Sequence, residues 1–138
     1  MHQIRHFLTI DVPTERVYAA ITERAGLQGW WTDDVEAPSA VGSTSTFRFR
    51  SGAMAKMEIR ALDSLQRVEW LCVDGAEEWI GTGVIFNLEE RDGGAILRFS
   101  HLGWKEISDF YASCNYQWGR HLKSLKDYCE TGHGAPDS

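Results

Sequence analysis

One long amphipathic helix is predicted by the stretch KEISDFYASCNYQWGRHLKSLKDYCE, residues 105–130. Apolar residues recur three or four positions apart along it, which is the spacing that places side chains on one face of an α-helix. At about 1.5 Å per residue, this helix would be roughly 39 Å long. Because its apolar face must be buried against another element, we expect a sheet elsewhere in the chain. The apolar face consists of Ile107, Phe110, Tyr111, Cys114, Trp118, Leu122, Leu125 and Cys129.

Alternating apolar and polar residues, typical of half-buried strands, fill most of the chain before this helix. The alternation begins in HQIRHFLTIDV, residues 2–12, and returns in five later stretches separated by short turns. This arrangement predicts an antiparallel meander of about six strands with one apolar face. The later stretches are STFRFR (45–50), AKMEIRAL (55–62), RVEWLCV (67–73), EWIGTGVIFNLEE (78–90) and AILRFSHLG (95–103).

Two short helices are predicted between the first and second strands. PTERVYAAITE, residues 13–23, has a proline suited to a first helical turn, and Gly26 follows as a stop. GLQGWW, residues 26–31, is compatible with a second short helix, and residues 33–43 are interpreted as a loop. The whole order predicts an α+β fold in which a curved antiparallel sheet wraps around the long C-terminal helix. We expect a single domain over residues 1–131 and a disordered tail over 132–138, which is small and polar.

Composition excludes several classes of function. The 138 residues carry a net charge of −6 and no basic stripe, so we expect no nucleic-acid partner. No apolar run approaches the roughly 20 residues of a membrane span, and the N-terminus lacks a signal-peptide pattern, so we expect a cytoplasmic protein without membrane insertion. The three cysteines are far apart and no metal-ligand spacing occurs, so we expect no metal and no cofactor.

The order and spacing of these elements resemble the START/Bet v 1-like (SRPBCC) helix-grip superfamily. Within it, the chain resembles the activator of Hsp90 ATPase homologue 1-like (AHSA1-like) family over nearly its whole length. GGAILRFSHLGW departs from that family at Gly94-Ala95, where the family often has Gly-Thr. The stretches that carry the resemblance are IDVPTERVYAAIT, GLQGWW, GSTSTFRF, RVEWLCV, GVIFNLEE, GGAILRFSHLGW and the terminal helix.

The resemblance implies a domain that holds a hydrophobic small molecule or a protein partner. Bacterial members of the family mostly have no assigned reaction. The resemblance by itself does not establish Hsp90 activation, because the eukaryotic co-chaperone has a second, N-terminal domain beside this one. We therefore expect a bacterial binding protein rather than an enzyme, with the identity of its small molecule open.

The helix-grip layout places the expected cavity between the sheet and the C-terminal helix, with GLQGWW at its mouth. The expected ligand-binding residues are mostly large and apolar, which suits an apolar or aromatic ligand. The alternative is a close-packed core in which the same rings leave no usable space. The residues are Trp30, Trp31, Phe49, Met57, Trp70, Phe86, Phe99, His101, Tyr111, Cys114 and Trp118.

His101 is the polar residue that the alternation points inward beside Leu97 and Phe99. It could hydrogen-bond a ligand or act as an acid–base group, or it could be a core histidine whose hydrogen bonds are satisfied. An enzyme resembling polyketide cyclases or aromatases would need such a group, and His101 and Tyr111 are the inward candidates. His101 is thus a weak catalytic candidate. A co-chaperone or other interaction module, including a homodimer paired through an edge strand, is the remaining alternative.

Overall fold

The computed structural model describes residues 1–137, in which three helices and seven strands occur. The strands alternate between buried and exposed side chains over most of their length, as the sequence predicts. The elements in chain order are β1 (His2–Ile10), α1 (Thr14–Thr22), α2 (Arg24–Trp30), β2 (Asp34–Glu36), β3 (Thr44–Arg48), β4 (Met54–Asp63), β5 (Arg67–Asp74), β6 (Gly83–Arg91), β7 (Gly94–Trp104) and α3 (Asp109–Thr131).

All the strands form one antiparallel sheet in the order β1-β7-β6-β5-β4-β3-β2. The first strand, β1, therefore lies beside the last, β7, and the strands from β2 to β7 follow one another as a meander. The register shifts twice between β4 and β5, at Lys56/Met57 and at Ile59/Ala61. Such irregularities increase local twist and bend the sheet. The predicted α+β helix-grip fold, with short helices after the first strand, is confirmed.

Helix α3 lies against the apolar face of the curved sheet. It begins at Asp109 because the Ser108 hydroxyl accepts a hydrogen bond from the backbone N–H of Tyr111 and caps the helix. It ends at Thr131, and the Gly132 that follows caps it with a left-handed backbone (φ 86°) that suits glycine. The expected helix began about four residues earlier, so Ile107 lies outside it and is exposed.

Two local expectations differ from the structure. Residues 33–43 contain strand β2, in which Val35 is buried and pairs with Phe47. A single apolar residue between two acids gives too short an alternation to predict a strand. Conversely, residues 78–82 do not extend strand β6, because Ile80 and its neighbours form hydrogen-bonded turns closed by Gly81 at φ +89°.

The C-terminal residues 132–137 form neither helix nor strand, and they run across the ends of α2 and α3. The backbone N–H of Ala135 donates to the Ser124 hydroxyl at 2.7 Å, and that of Asp137 donates to the Trp31 carbonyl at 2.8 Å. Gly134 approaches Gly29 so closely that a Cβ at this position would lie 2.4 Å from the Gly29 carbonyl oxygen. Ser138, the last residue of the expected tail, lies outside the described residues. Among residues 1–137, no helix has the length and apolar character needed to cross a bilayer.

Candidate functional site

A cavity of about 510 Å³ lies between α3, the loops that follow β3 and β5, and the C-terminal segment. Its volume falls in the range typical of small-molecule sites, roughly 300–1,000 Å³. Its walls are mostly apolar and include the rings of three tryptophans and two phenylalanines, and its rim is polar. The lining residues are Trp31, Phe49, Ser51, Ala53, Met54, Ala55, Ala76, Trp79, Phe110, Cys114, Gln117, Trp118, Arg120, His121, Ala135, Pro136 and Asp137.

Helix α3 supplies one wall through a single face. Cys114, Gln117, Trp118 and His121 are spaced at i, i+3, i+4 and i+7, which brings them onto one side of an α-helix. Cys114 and Trp118 belong to the apolar face predicted from the sequence. Gln117 and His121 flank this face. Because both are polar, apolar periodicity did not indicate them as site residues.

The adjacent tryptophans at the end of α2 have different positions. The Trp30 indole lies in the core, where its Nε1–H donates to the Ala20 carbonyl at 2.8 Å. Trp31 is the C-cap residue of α2, and its ring stacks between those of Trp30 (5.7 Å) and Trp70 (6.0 Å) while it also lines the cavity. The buried Nε1 of Trp31 has no hydrogen-bond partner among residues 1–137. GWW therefore marks the point where the core meets the cavity.

Trp79, on the loop after β5, also lines the cavity. Its ring stacks on Trp118 with centroids 5.9 Å apart, and its Nε1–H donates to the Cys114 sulfur at 3.3 Å. Burial, foremost, raises the pKa of the Cys114 thiol, so the thiol is neutral at pH 7 and poorly nucleophilic. Trp79 was not among the predicted site residues. Residues 78–82 were expected to belong to a strand, and they instead form turns that carry the indole to the cavity.

His121 is a polar side chain that lies among the rings of the cavity. It is half-buried, with the rings of Trp31 and Trp118 at 6.0 Å and 5.8 Å, and among residues 1–137 it has no hydrogen-bond partner. Burial, followed by the nearby Arg120 cation, lowers its pKa to about 4. At pH 7 the imidazole is therefore neutral and offers one donor and one acceptor to an occupant of the cavity.

His101 lies outside the cavity lining and is fully buried. Its Nδ1 accepts from the Trp118 Nε1–H at 3.0 Å, so its Nε2 carries the proton and faces the Thr82 hydroxyl at 2.7 Å. Thr82 in turn donates to the Trp79 carbonyl at 2.5 Å. Burial lowers the His101 pKa to about 3. Both nitrogens of the neutral imidazole are therefore used in hydrogen bonds. These bonds hold the Trp118 indole and, through Thr82, the loop that carries Trp79.

The cavity rim carries Gln117, Arg120 and Asp137. The Arg120 guanidinium donates weakly to the Gln117 side-chain oxygen at 3.4 Å and lies over the exposed ring of Tyr116 at 6.0 Å. Within residues 1–137 it forms no salt bridge, and most of its N–H groups remain available at the rim.

Four of the predicted ligand-binding residues line this cavity, namely Trp31, Phe49, Cys114 and Trp118. The others lie outside the lining, and several of them belong to the packed core, where neighbouring rings contact one another. Among these, the half-buried Tyr111 donates its hydroxyl hydrogen to the Gln3 carbonyl at 2.8 Å. The predicted residues that do not line the cavity are Trp30, Met57, Trp70, Phe86, Phe99, His101 and Tyr111.

A second cavity of about 170 Å³ lies beside the loop before α3. It is lined by Glu77, Glu78, Ile80, Gly103, Trp104, Lys105 and Glu106. Across the described part of the chain, no three His, Cys, Asp or Glu side chains are grouped in a way that could hold a metal ion.

Several proteins of known structure share this architecture. The Aha1 dimer from Colwellia psychrerythraea, known from a solution structure, is 38% identical over 97% of this chain and 100% of that chain, with a TM-score of 0.90. A Staphylococcus saprophyticus protein is 20% identical (97% and 96% covered, TM-score 0.80), and CalU16 from Micromonospora echinospora is 18% identical (94% and 77% covered, TM-score 0.75). These two share the fold. No curated protein sequence matches the chain. The family model described as activator of Hsp90 ATPase homolog 1-like protein matches residues 11–130, and the chain therefore belongs to that family.

Proposed function

We propose that this protein binds a hydrophobic small molecule in the cavity between α3 and the loops after β3 and β5. The observation that carries the proposal is an aromatic cavity of about 510 Å³ that contains an imidazole without a protein partner. Apolar walls supply affinity through burial, and a few polar groups fix orientation. Trp79 and Phe110 support the proposal, because both rings are partly open to solvent at the cavity and a ligand would cover them.

Calorimetric titration with the neutral aromatic probe 2-naphthol tests this proposal. Ala76→Trp places a large ring into the cavity from an exposed rim position and should abolish binding, whereas Ala112→Trp adds the same ring on the exposed side of α3 and should leave binding unchanged. Equal binding by both variants would place the site elsewhere. Native mass spectrometry of the purified protein, followed by extraction, would identify the chemical class of any ligand that remains bound.

An enzyme of the cyclase or aromatase type is the alternative, and it would depend on His121 rather than His101. His121 is neutral at pH 7 and open to the cavity, so it could accept a proton from a bound substrate. His101 already uses both nitrogens inside the core. Loss of turnover in His121→Gln, with retained turnover in a folded His101→Asn variant, is the pattern that would favour this alternative once a substrate is known.

We also propose that the chain forms a homodimer in the cytoplasm. Its 38%-identical relative from Colwellia psychrerythraea is described as a dimer, and Phe7, Ile107 and Tyr116 are large side chains exposed on this protein's surface. All three cysteines are free and buried, which suits a reducing compartment. Size-exclusion chromatography with light scattering would give the mass directly, and a monomer at micromolar concentration would contradict the dimer.

A further inference from the structure

Resting on the proposed function, we propose that the cavity selects a planar aromatic acid. Its ring would lie among the indoles of Trp31, Trp79 and Trp118, and its anionic group would meet Arg120, Gln117 and His121. The three indoles favour a flat ring, because offset and edge contacts between aromatic rings add to the gain from burial.

The polar part of the cavity consists mainly of hydrogen-bond donors. Gln117, Arg120 and His121 lie within five positions on α3 and all line the cavity. Arg120 has five N–H groups and uses one in the weak contact with Gln117, the Gln117 amide has its own N–H₂ group, and neutral His121 retains one N–H. A carboxylate is an acceptor only and satisfies several donors at once, and hydrogen bonds to a charged acceptor are about twice as strong as neutral ones.

Asp137 is the one carboxylate in the lining, and it opposes an anionic ligand. Its backbone is held by the Trp31 carbonyl, and its charge acts on His121, as does the charge of Arg120. An aromatic cavity with a carboxylate could instead take an organic cation through its ring faces. The number of donors on α3 favours the acid, because Arg120 would repel a cation from the same rim.

A matched series of naphthalene probes separates these possibilities. Calorimetric titration of the full chain with 2-naphthoate, 2-naphthamide and 2-naphthylmethylammonium keeps the ring constant and changes the charge. We expect 2-naphthoate to bind about five- to tenfold more tightly than 2-naphthamide, since a rim-exposed charged hydrogen bond contributes modestly. The ammonium probe should bind most weakly.

Two charge-removing variants on α3 locate the effect. Arg120→Gln should remove the preference for the acid, so that the variant binds 2-naphthoate no more tightly than it binds 2-naphthamide. Lys123→Gln removes the same charge from the same helix, but Lys123 pairs with Asp127 away from the cavity and should change neither affinity. Both positions are exposed, so both variants should fold.

Each remaining outcome is decisive. Equal binding of the acid and the amide, or tighter binding of the ammonium probe, would overturn the selection of acids while leaving a hydrophobic binding site in place. An acid preference that survives Arg120→Gln would overturn the placement of the anionic group at Arg120. Failure of all three probes and of 2-naphthol to bind would overturn the proposed function itself, and the aromatic acid with it.

Discussion

Thr82→Val tests the buried hydrogen-bond chain that holds His101 and, through it, the cavity wall. Valine keeps the shape of threonine but removes the hydroxyl that accepts from His101 Nε2–H at 2.7 Å. Thr82 and His101 are both buried, so the imidazole N–H would lose its partner without gaining water. An unsatisfied buried donor costs about 1–3 kcal/mol. The Trp79 carbonyl also loses the hydroxyl donor, but it keeps its hydrogen bond from the backbone N–H of residue 82, so its loss adds little to this cost.

Chemical denaturation of the variant and of a matched control measures this cost. Thr46 also lies in the sheet and is 9% exposed. Its hydroxyl has no hydrogen-bond partner among residues 1–137 and is not one of the fully buried unpaired atoms, so Thr46→Val should change the free energy of unfolding by no more than about 0.5 kcal/mol. A Thr82→Val variant as stable as Thr46→Val would refute the role assigned to the hydrogen-bond chain. The expected excess loss of about 1–3 kcal/mol would support it.

Three further outcomes are expected. Trp118→Ala should lower the free energy of unfolding by about 3–5 kcal/mol in a thermal melt, because the ring is buried between the sheet and α3, and an unchanged melt would place the ring outside the core. The free energy of unfolding should decrease as pH falls from about 6.5 to 5, by up to about 1.4 kcal/mol per pH unit for each of His101 and His121. In the folded protein these imidazoles have pKa values of about 3 and 4, so over this pH range only the unfolded chain takes up protons at them. Denaturation curves that do not change with pH would contradict those pKa values. Gly26→Ala should cost at least about 1–3 kcal/mol, because its Cβ would lie 2.5 Å from the Ala20 Cα where α1 meets α2, and wild-type stability in urea would show that the helices separate easily.

The fold followed from the sequence because periodicity reports which face of an element is buried. The alternation in β4 to β7 and the apolar face of α3 each identified one side, and these sides can be buried only against one another. Periodicity failed where the signal was short or local. It missed β2, which has one apolar residue, and it extended β6 into a loop whose Gly81 turns the chain.

The site was harder to predict. Periodicity shows which side chains point toward the core, but it does not show where between the sheet and α3 the packed rings end and the cavity begins. Trp70, Phe86 and Phe99 are buried as expected, yet they pack against each other and do not line the cavity. Open volume remains at one end, where Trp79 from a loop and His121 from the flank of α3 enter. Neither residue lies on an alternating strand or within the apolar face of the helix, so only tertiary structure brings them together.

The indole N–H signals of the six tryptophans offer the most direct test of the binding cavity. In a two-dimensional ¹H–¹⁵N spectrum recorded with saturating 2-naphthol, the indole signals of Trp31, Trp79 and Trp118 should shift strongly. Those of Trp30, in the core, and Trp104, beside the second cavity, should remain in place and serve as internal controls. Unchanged spectra, or shifts centred on Trp104, would contradict the proposed binding site.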